Sequence, residues 1–211
     1  MPLLAHTVRP IVINGAVYRV AMPQSAELVL NTIPDTKFES LPFAPYWAEL
    51  WPAAKALAAF LDKQTIPVSC LIGDMGCGLG LCSMILARHN APPVSFDISL
   101  NAALFARFNL AAMNQRSKVV CCDWQALPFK CRFDMIVGAD LLYEETQIMA
   151  VIAVLDQLLL PQGVAYLADP QRPYWNGFKQ AIVDSNLFQS TTVIDTRMVE
   201  HSTIEILKIV K

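Results

Sequence analysis

The sequence has few charged residues and no excess of either sign. Only 16% of its 211 residues are charged, and 16 basic residues nearly balance 18 acidic ones, which leaves a formal charge of −2. Binding to nucleic acid through the phosphate backbone depends on clustered lysine and arginine. The composition therefore disfavours nucleic acid as the main partner, and we expect none.

Long apolar runs are also missing, although 55% of the residues are hydrophobic. No uninterrupted apolar stretch reaches the roughly 18 residues that a membrane span requires. The first residues carry no basic region ahead of an apolar segment, as a secretory signal would. We therefore expect a soluble, cytoplasmic protein without a membrane partner.

The chain has no pattern typical of a metal site. It contains three histidines and six cysteines, but no C-x-x-C pair occurs, so we expect no bound metal. Reduced, mostly buried thiols are the simplest interpretation of the cysteines in a cytoplasmic protein. Cys77 is the one candidate for a reactive thiol.

A glycine-rich turn organises the rest of the chain. An apolar run from Val68 leads into Asp74-Met75-Gly76-Cys77-Gly78-Leu79-Gly80, and 81–88 has helical spacing. Glycine lacks a Cβ, so a ligand can lie against the backbone, next to the free N–H groups of the helix. A dinucleotide fingerprint would need its third glycine at Leu81. The turn therefore favours a nucleoside-like ligand, with a ligand-free turn as the alternative.

Acidic residues follow three of the predicted strands: Asp97, Asp123 and Asp140. Open α/β sheets bind their ligands at the carboxyl ends of parallel strands, so these carboxylates are expected to converge. Asp97 is placed to accept hydrogen bonds from two ribose hydroxyls, although it could instead cap the helix that starts near Ser99. In folds of this class an acid such as Asp123 contacts the adenine amine, and a neighbour such as Trp124 packs near the ring.

Other segments define the predicted architecture. Asn14-Gly15 joins two β-rich runs and predicts an N-terminal hairpin outside the main sheet, followed by a proline-rich connection. Pro52 is typical of a first helical turn. Tyr46, Trp47 and Trp51, just ahead of it, form either a staple onto the core or a lid over the ligand cleft.

Further elements are predicted from hydrophobic periodicity. Helices are expected at 99–114, 146–160 and 176–187, and strands at 93–97, 118–122, 133–139 and 164–168. Two late alternating segments, 189–197 and 203–210, have no helix between them. They predict an antiparallel pair that closes the sheet.

These motifs resemble those of the class I, seven-β-strand methyltransferases that use S-adenosylmethionine (SAM). Within that class they resemble the nicotinamide-N-methyltransferase-like and protein-lysine methyltransferases, above all the electron-transfer-flavoprotein β-subunit lysine methyltransferases. The resemblance covers about 43–178 and rests on five segments: 45–48 with 50–52, the glycine turn, 96–98, 138–143 and 169–173.

The resemblance implies an α/β, Rossmann-like seven-stranded sheet with helices on both faces. The residue patterns described above add the antiparallel C-terminal strand pair and the N-terminal β-hairpin. We therefore expect the hairpin and connection in 1–42 and the methyltransferase domain in 43–211. The resemblance also implies SAM as cofactor and S-adenosyl-L-homocysteine as product. The implied cofactor-binding residues are Trp51, Asp74, Gly76, Gly78, Gly80, Asp97, Ile98, Asp123, Trp124 and Ala139.

The acceptor side follows from the same resemblance. Asp140 and Tyr143 are the implied catalytic residues, bordering the acceptor nitrogen. The implied acceptor is a lysine side chain of a protein such as electron-transfer flavoprotein β-subunit. The alternatives are a small-molecule N- or O-methyltransferase, a non-catalytic SAM-binding module, and an NAD-dependent oxidoreductase, which Leu81 and the terminal strand pair oppose.

Overall fold

The computed structural model describes residues 3–30, 45–113 and 118–211. The strands are β1 (His6–Ile13), β2 (Ala16–Pro23), β3 (Ile72–Met75), β4 (Val94–Asp97), β5 (Lys118–Cys121), β6 (Phe133–Ala139), β7 (Leu159–Asp169), β8 (Ser190–Val199) and β9 (Ser202–Val210). The helices are α1 (Ala26–Leu30), α2 (Pro52–Leu61), α3 (Leu81–Arg88), α4 (Leu100–Ala111), α5 (Thr146–Leu158) and α6 (Trp175–Asp184). Short 3-10 turns occupy Tyr46–Ala48 and Trp124–Ala126.

Seven strands form the main sheet in the order β5-β4-β3-β6-β7-β9-β8. The strands from β5 to β7 are parallel, whereas β9 is antiparallel to both β7 and β8. The predicted fold class and terminal strand pair are therefore confirmed. From β3 the chain adds β4 and β5 on one side of the sheet, and then crosses back to add β6 and β7 on the other side of β3. The strand order therefore reverses between β3 and β6. A ligand crevice is expected at the carboxyl ends there.

Apolar side chains from the two faces of the sheet enter two buried clusters. One contains residues of α2, α3 and α4, and the other contains residues of α5 and α6. Successive residues of one strand alternate between them, as Ile136 and Val137 of β6 do. The sheet is therefore covered by helices on both faces.

The N-terminal hairpin forms as predicted and lies outside the main sheet. β1 pairs antiparallel with β2, and the turn residues Asn14 and Gly15 have φ of 46° and 84°. Positive φ at both positions gives the turn the twist that suits a two-residue hairpin. Tyr18 and Val20 of β2 are buried in the same cluster as α2 and α3. The hairpin therefore shares a core with the main sheet, and the predicted boundary at 42/43 lies outside the described residues.

Strand β3 begins later than predicted. Val68 is 75% exposed, and the Cys70 N–H donates to the carbonyl of Pro67, which makes 67–70 a turn. The strand starts at Ile72 and includes Gly73, where a Cβ would lie 3.2 Å from the ring of Phe133. Gly73 thus permits close packing against Phe133 of β6.

The boundary between α5 and β7 also differs from the prediction. The helix ends at Leu158 rather than 160, and Leu159 already pairs with Phe133 of β6. A register shift follows between Phe133 and Met135, where β7 carries Pro161 and Gln162, the latter with φ of 67°. Proline has no N–H to donate, so it suits such an irregularity. Pairing with β6 overrode the local helical pattern.

The remaining helices fall near their predicted positions. α4 ends at Ala111, three residues before the predicted end at 114, which lies outside the described residues. α6 covers Trp175–Asp184 instead of 176–187. Within the described ranges, no helix has the length and apolar character needed to cross a bilayer.

Candidate active site

A cleft opens at the carboxyl ends of the central strands. Its volume of about 620 Å³ lies within the range of small-molecule sites. Eleven of the twelve predicted site residues line it: Trp51, Asp74, Gly76, Gly78, Asp97, Ile98, Asp123, Trp124, Ala139, Asp140 and Tyr143. The fold therefore brings together residues that span about 90 positions of the sequence.

Gly80 is the one predicted cofactor-binding residue that does not line the cleft, and its contact with the cofactor stays a prediction. Gly80 is the residue before α3, with φ of 81°. A Cβ there would lie 3.1 Å from Cβ of Ala106 on α4. Gly80 therefore lets α3 and α4 approach each other, which is a packing role.

Gly78 is the glycine whose missing side chain leaves room in the cleft. Its φ is 51°, and the atom nearest to an added Cβ is the Trp47 carbonyl oxygen, at 3.7 Å. The Gly78 N–H donates to Asp97 Oδ2 at 2.9 Å. The turn thus presents bare backbone to a ligand while one of its amides is held by the end of β4.

Asp97 links the glycine turn to the start of α4. Its Oδ2 accepts from Gly78, and its Oδ1 accepts from the Ser99 N–H at 2.9 Å. Burial raises the pKa of Asp97, and these two hydrogen bonds oppose the shift. Ser99 itself caps α4 by accepting from the Ala102 N–H at 3.3 Å. Each carboxylate oxygen retains a lone pair that a ligand hydroxyl could use.

Asp74 has hydroxyl partners that sequence reasoning did not identify. Its carboxylate accepts a hydrogen bond from the Ser83 hydroxyl on α3, and Ser83 Oγ lies 2.6 Å from Ser95 Oγ on β4. Burial raises the pKa of Asp74 to about 7, the nearby charge of Asp97 adds to the shift, and the Ser83 hydrogen bonds oppose it. The contacts of this carboxylate fix the strand-to-helix turn.

The buried Asp74 makes stability depend on pH. Its pKa is about 7 in the folded protein and 3.8 in an unpaired carboxyl, so between these values unfolding releases a proton. The free energy of unfolding therefore falls as pH rises from about 4 to 7 and then levels off. Asp74→Asn removes this group, and we expect the stability difference between pH 5 and pH 8 to shrink by about 2 kcal/mol. Urea unfolding at both pH values measures it; an unchanged difference would contradict the expectation.

At the other end of the cleft, Asp140 has one oxygen paired and one unpaired. Its φ is 60°, and its Oδ1 accepts from Arg172 Nε at 2.6 Å. Its Oδ2 is buried and has no hydrogen-bond partner among the described residues. Burial raises the pKa of Asp140, and the bond to Arg172 opposes the shift. A buried acceptor without a partner is costly, which fits an oxygen that receives a donor from a ligand.

Aromatic rings line the cleft beside Asp140. Tyr143 stacks on Tyr46 with ring centroids 4.2 Å apart and an interplanar angle of 5°. The Trp51 indole N–H donates to the Tyr46 carbonyl at 2.6 Å. Both Tyr46 and Trp51 line the cleft. The segment before α2 therefore forms a wall of the cleft, and its Trp47 also packs against Phe105 of the core, so it combines the two predicted roles. Burial raises the pKa of Tyr143, so its phenol is neutral at physiological pH.

Arg172 and Asp169 lie next to residues that line the cleft, and sequence reasoning gave them no role. The Arg172 guanidinium carbon lies 4.5 Å from the Tyr143 ring centroid and 5.5 Å from that of Trp51. Asp169 Oδ1 accepts from the Arg172 N–H at 2.7 Å, and burial, with the charge of Asp140 adding, raises the pKa of Asp169 to about 7. The sequence feature that could have identified Asp169 is its position directly after the predicted strand 164–168.

The cysteines differ from the expectation of mostly buried thiols. Only Cys82 is fully buried, whereas Cys121 and Cys131 are exposed. Burial raises the pKa of the Cys77 thiol, with the charge of Asp97 adding. A raised pKa opposes a reactive thiolate at that position.

Comparison with known proteins gives the family context of this cleft. Residues 72–163, from β3 into β7, match the family described as "Methyltransferase domain". The whole chain superposes on 51% of a 16S rRNA methyltransferase from T. thermophilus, solved with AdoMet and guanosine, with a TM-score of 0.71 and 21% identity. Residues 72–163, less than half of the chain, are therefore similar to a SAM-dependent methyltransferase domain.

Curated relatives of this methyltransferase domain act on chemically different acceptors. Electron transfer flavoprotein beta subunit lysine methyltransferase from Danio rerio is 30% identical over 48% of this chain and 40% of its own length. Ubiquinone biosynthesis O-methyltransferase from Rhodopseudomonas palustris is 25% identical over 58% of this chain and 49% of its own length. The chain thus matches less than half the length of each relative, and the acceptor of the domain does not follow from their names.

SAM is the cofactor of this domain class, and the residues of the cleft fit it. Gly78 offers open backbone for the amino-acid end of the molecule, at the N-terminus of α3. Asp97 offers carboxylate lone pairs for the ribose hydroxyls. Trp124 Nε1 is a buried donor with no partner in the described part of the chain, and Asp123 lines the cleft beside it. The donor and acceptor sets thus match a nucleoside joined to an amino acid.

Proposed function

We propose that this protein transfers the methyl group of SAM to an amine nitrogen, and that the acceptor is a lysine side chain of a protein substrate. The observation that carries this proposal is Asp140 Oδ2, a buried carboxylate oxygen at the cleft without a partner among the described residues. An amine N–H is the donor that such an oxygen lacks. A carboxylate at this position also favours a basic acceptor over an acidic one.

In the proposed reaction the amine nitrogen forms a bond to the methyl carbon as the carbon–sulfur bond breaks. S-Adenosyl-L-homocysteine leaves, and the nitrogen loses one proton. SAM supplies an electrophilic methyl group, so the work of the protein is to position the nitrogen and exclude water. Asp140 orients the amine, and the neutral Tyr143 forms a wall beside it.

The acceptor must be neutral before it can react. Lysine has a reference pKa of about 10.4, so its neutral form is scarce at pH 7. Contact with the stacked rings of Tyr46 and Tyr143 removes water from the amine, which lowers its pKa. The rings and the carboxylate act on the amine in different ways. The rings favour the reactive neutral form, whereas Asp140 attracts the basic acceptor and orients its nitrogen.

The Danio rerio relative supports a protein substrate, because its name gives lysine methylation of the electron transfer flavoprotein beta subunit. An electron-transfer flavoprotein β-subunit is therefore the first acceptor to test. RNA is a second candidate, because the T. thermophilus enzyme that matches the whole chain is an rRNA methyltransferase. The exocyclic amine of guanine could also donate to Asp140. The balanced charge of the chain gives less support to binding along a phosphate backbone.

The test is methyl transfer from radiolabelled SAM. The purified protein is incubated with electron-transfer flavoprotein β-subunit and, separately, with a host-cell extract divided into nuclease-treated and protease-treated halves. We expect label in protein that survives nuclease and is located on lysine by mass spectrometry. Label confined to RNA or to small molecules would overturn the lysine proposal. SAM binding by calorimetry without any transfer would indicate a non-catalytic SAM-binding module.

A further inference from the structure

A single buried side chain on α4 joins the N-terminal hairpin to the glycine turn. Asn109 is 1% exposed, and its Nδ2 donates to the carbonyls of Leu79 at 2.9 Å and Ala21 at 3.0 Å. Its Oδ1 accepts from the Ala21 N–H at 2.8 Å. One amide therefore holds both backbone polar groups of Ala21 in β2 and the carbonyl that lies between Gly78 and Gly80.

We propose that Asn109 is a positioning residue for SAM, through which the hairpin sets the conformation of the glycine turn. This inference rests on the proposed binding of SAM in the cleft. Its physical basis is the freedom of glycine: Gly78 and Gly80 both have positive φ and can adopt many other conformations. The turn needs external restraints to hold one of them, and the bond from Asn109 to Leu79 is such a restraint.

The other restraints on the turn come from the main sheet and from the turn itself. The Gly78 N–H is held by Asp97, and the Gly80 N–H donates to the Cys77 carbonyl at 2.8 Å. Leu79 is different, because the side chain that holds its carbonyl is shared with the hairpin. Without β2, Asn109 would lose its two bonds to Ala21 in a buried environment and would be free to reorient.

The hairpin is itself fixed to the main body at a second place. Arg88 at the end of α3 donates to the Tyr18 hydroxyl at 2.8 Å, and Asn14 donates to Asp62 Oδ2 at 3.0 Å. These bonds attach the hairpin to the ends of α2 and α3 without contacting the glycine turn. Val29 of α1, which follows the hairpin, lines the cleft. The N-terminal elements therefore reach the cofactor cleft directly through Val29 and indirectly through Asn109.

Hydrogen exchange on the unmodified protein tests the coupling without any substitution. If the hairpin and the cofactor stabilise each other, saturating SAM must protect the amides of β2, including Ala21, by thermodynamic reciprocity. We expect stronger protection in β2 than in β8, which lies at the far edge of the main sheet. The inference would be overturned if SAM protected the amides of the glycine turn but protected those of β2 no better than those of β8. Absence of protection at the turn itself would instead count against SAM binding.

A matched pair of variants tests the role of Asn109 in turnover. Asn109→Asp keeps the size and the acceptor for Ala21 but removes both donated bonds, whereas Tyr18→Phe removes a hairpin bond that does not involve the turn. We expect Asn109→Asp to raise the KM for SAM about tenfold, with kcat at saturating SAM within threefold. Tyr18→Phe should leave that KM within twofold.

Two results would overturn the positioning role. One is a KM for SAM in Asn109→Asp that equals the unmodified value. The other is an equal rise in Tyr18→Phe, because the effect would then follow from loosening the hairpin in general. Thermal unfolding shows whether both variants are folded at the assay temperature, and if Asn109→Asp is not, the exchange measurement decides. If the unmodified protein neither binds SAM nor turns over, the failure belongs to the proposed function.

Discussion

Asp140→Asn is expected to lower kcat at least about 100-fold, the size of effect that follows when a reacting group is misplaced, while the Kd for SAM stays within about twofold. The substitution keeps one oxygen that accepts the hydrogen bond from Arg172. It replaces the unpartnered Oδ2 with an NH₂ group, which cannot accept a hydrogen bond from the substrate amine. Asparagine also tolerates the φ of 60° at this position, so the backbone should be undisturbed. Steady-state kinetics with the identified acceptor and calorimetry with SAM separate the two effects.

Asp134→Asn is the matched control for this prediction. Asp134 lies near the start of β6, whereas Asp140 follows its end. The two carboxylates are therefore at opposite ends of the same central strand. Asp134 accepts from the Leu71 N–H at 2.8 Å, a bond that an asparagine oxygen can keep. We expect kcat of Asp134→Asn to match that of the unmodified protein. Full turnover by Asp140→Asn on a verified acceptor would remove the proposed role of Asp140.

Asp97→Ala is expected to weaken SAM binding at least about 100-fold. Hydrogen bonds to a charged group contribute about 1.5–3 kcal/mol each, and every 1.4 kcal/mol corresponds to about tenfold in Kd. The substitution would remove the expected bonds to two ribose hydroxyls as well as the observed bonds to Gly78 and Ser99. The glycine turn loses a restraint at the same time, so both effects act in one direction.

Calorimetric titration with SAM and with S-adenosyl-L-homocysteine measures the change. Asp134→Ala is the control, since it removes a carboxylate that accepts from a backbone N–H at the amino ends of the strands, away from the cleft. We expect that control to bind SAM within twofold of the unmodified protein, and circular dichroism checks that both variants are folded. A Kd for Asp97→Ala within threefold of the unmodified value would show that the cofactor is not held by Asp97.

Local sequence signals were sufficient for most of the architecture. The Asn14-Gly15 pair predicts its hairpin because few residues adopt positive φ at both turn positions. The glycines and the acids after β4, β5 and β6 predict one cleft, because the carboxyl ends of parallel strands share an edge. The late alternating segments predict β8 and β9 in the same way. Each of these signals depends either on residues that are close in sequence or on the general rule that parallel sheets bind ligands at the carboxyl ends of their strands.

Predictions failed where one element meets another. The α5–β7 boundary depends on pairing between Leu159 and Phe133, and β3 begins late because 67–70 form a turn. Leu159 and Phe133 are not close in sequence. The ion pair of Asp140 with Arg172 is a further case, because it joins the ends of two different strands.

The sequence by itself therefore determined the fold class and the position of a cleft lined by Asp97, Asp123 and Asp140, since periodicity, turn chemistry and strand order act over short distances. Only the tertiary structure decided which atoms in that cleft are already paired. It left Asp140 Oδ2 without a partner among the described residues, and it placed Asn109 between the hairpin and the glycine turn. Whether a hydrogen bond forms depends on differences of a few tenths of an ångström in the distance between residues far apart in the chain, and no local pattern encodes those distances.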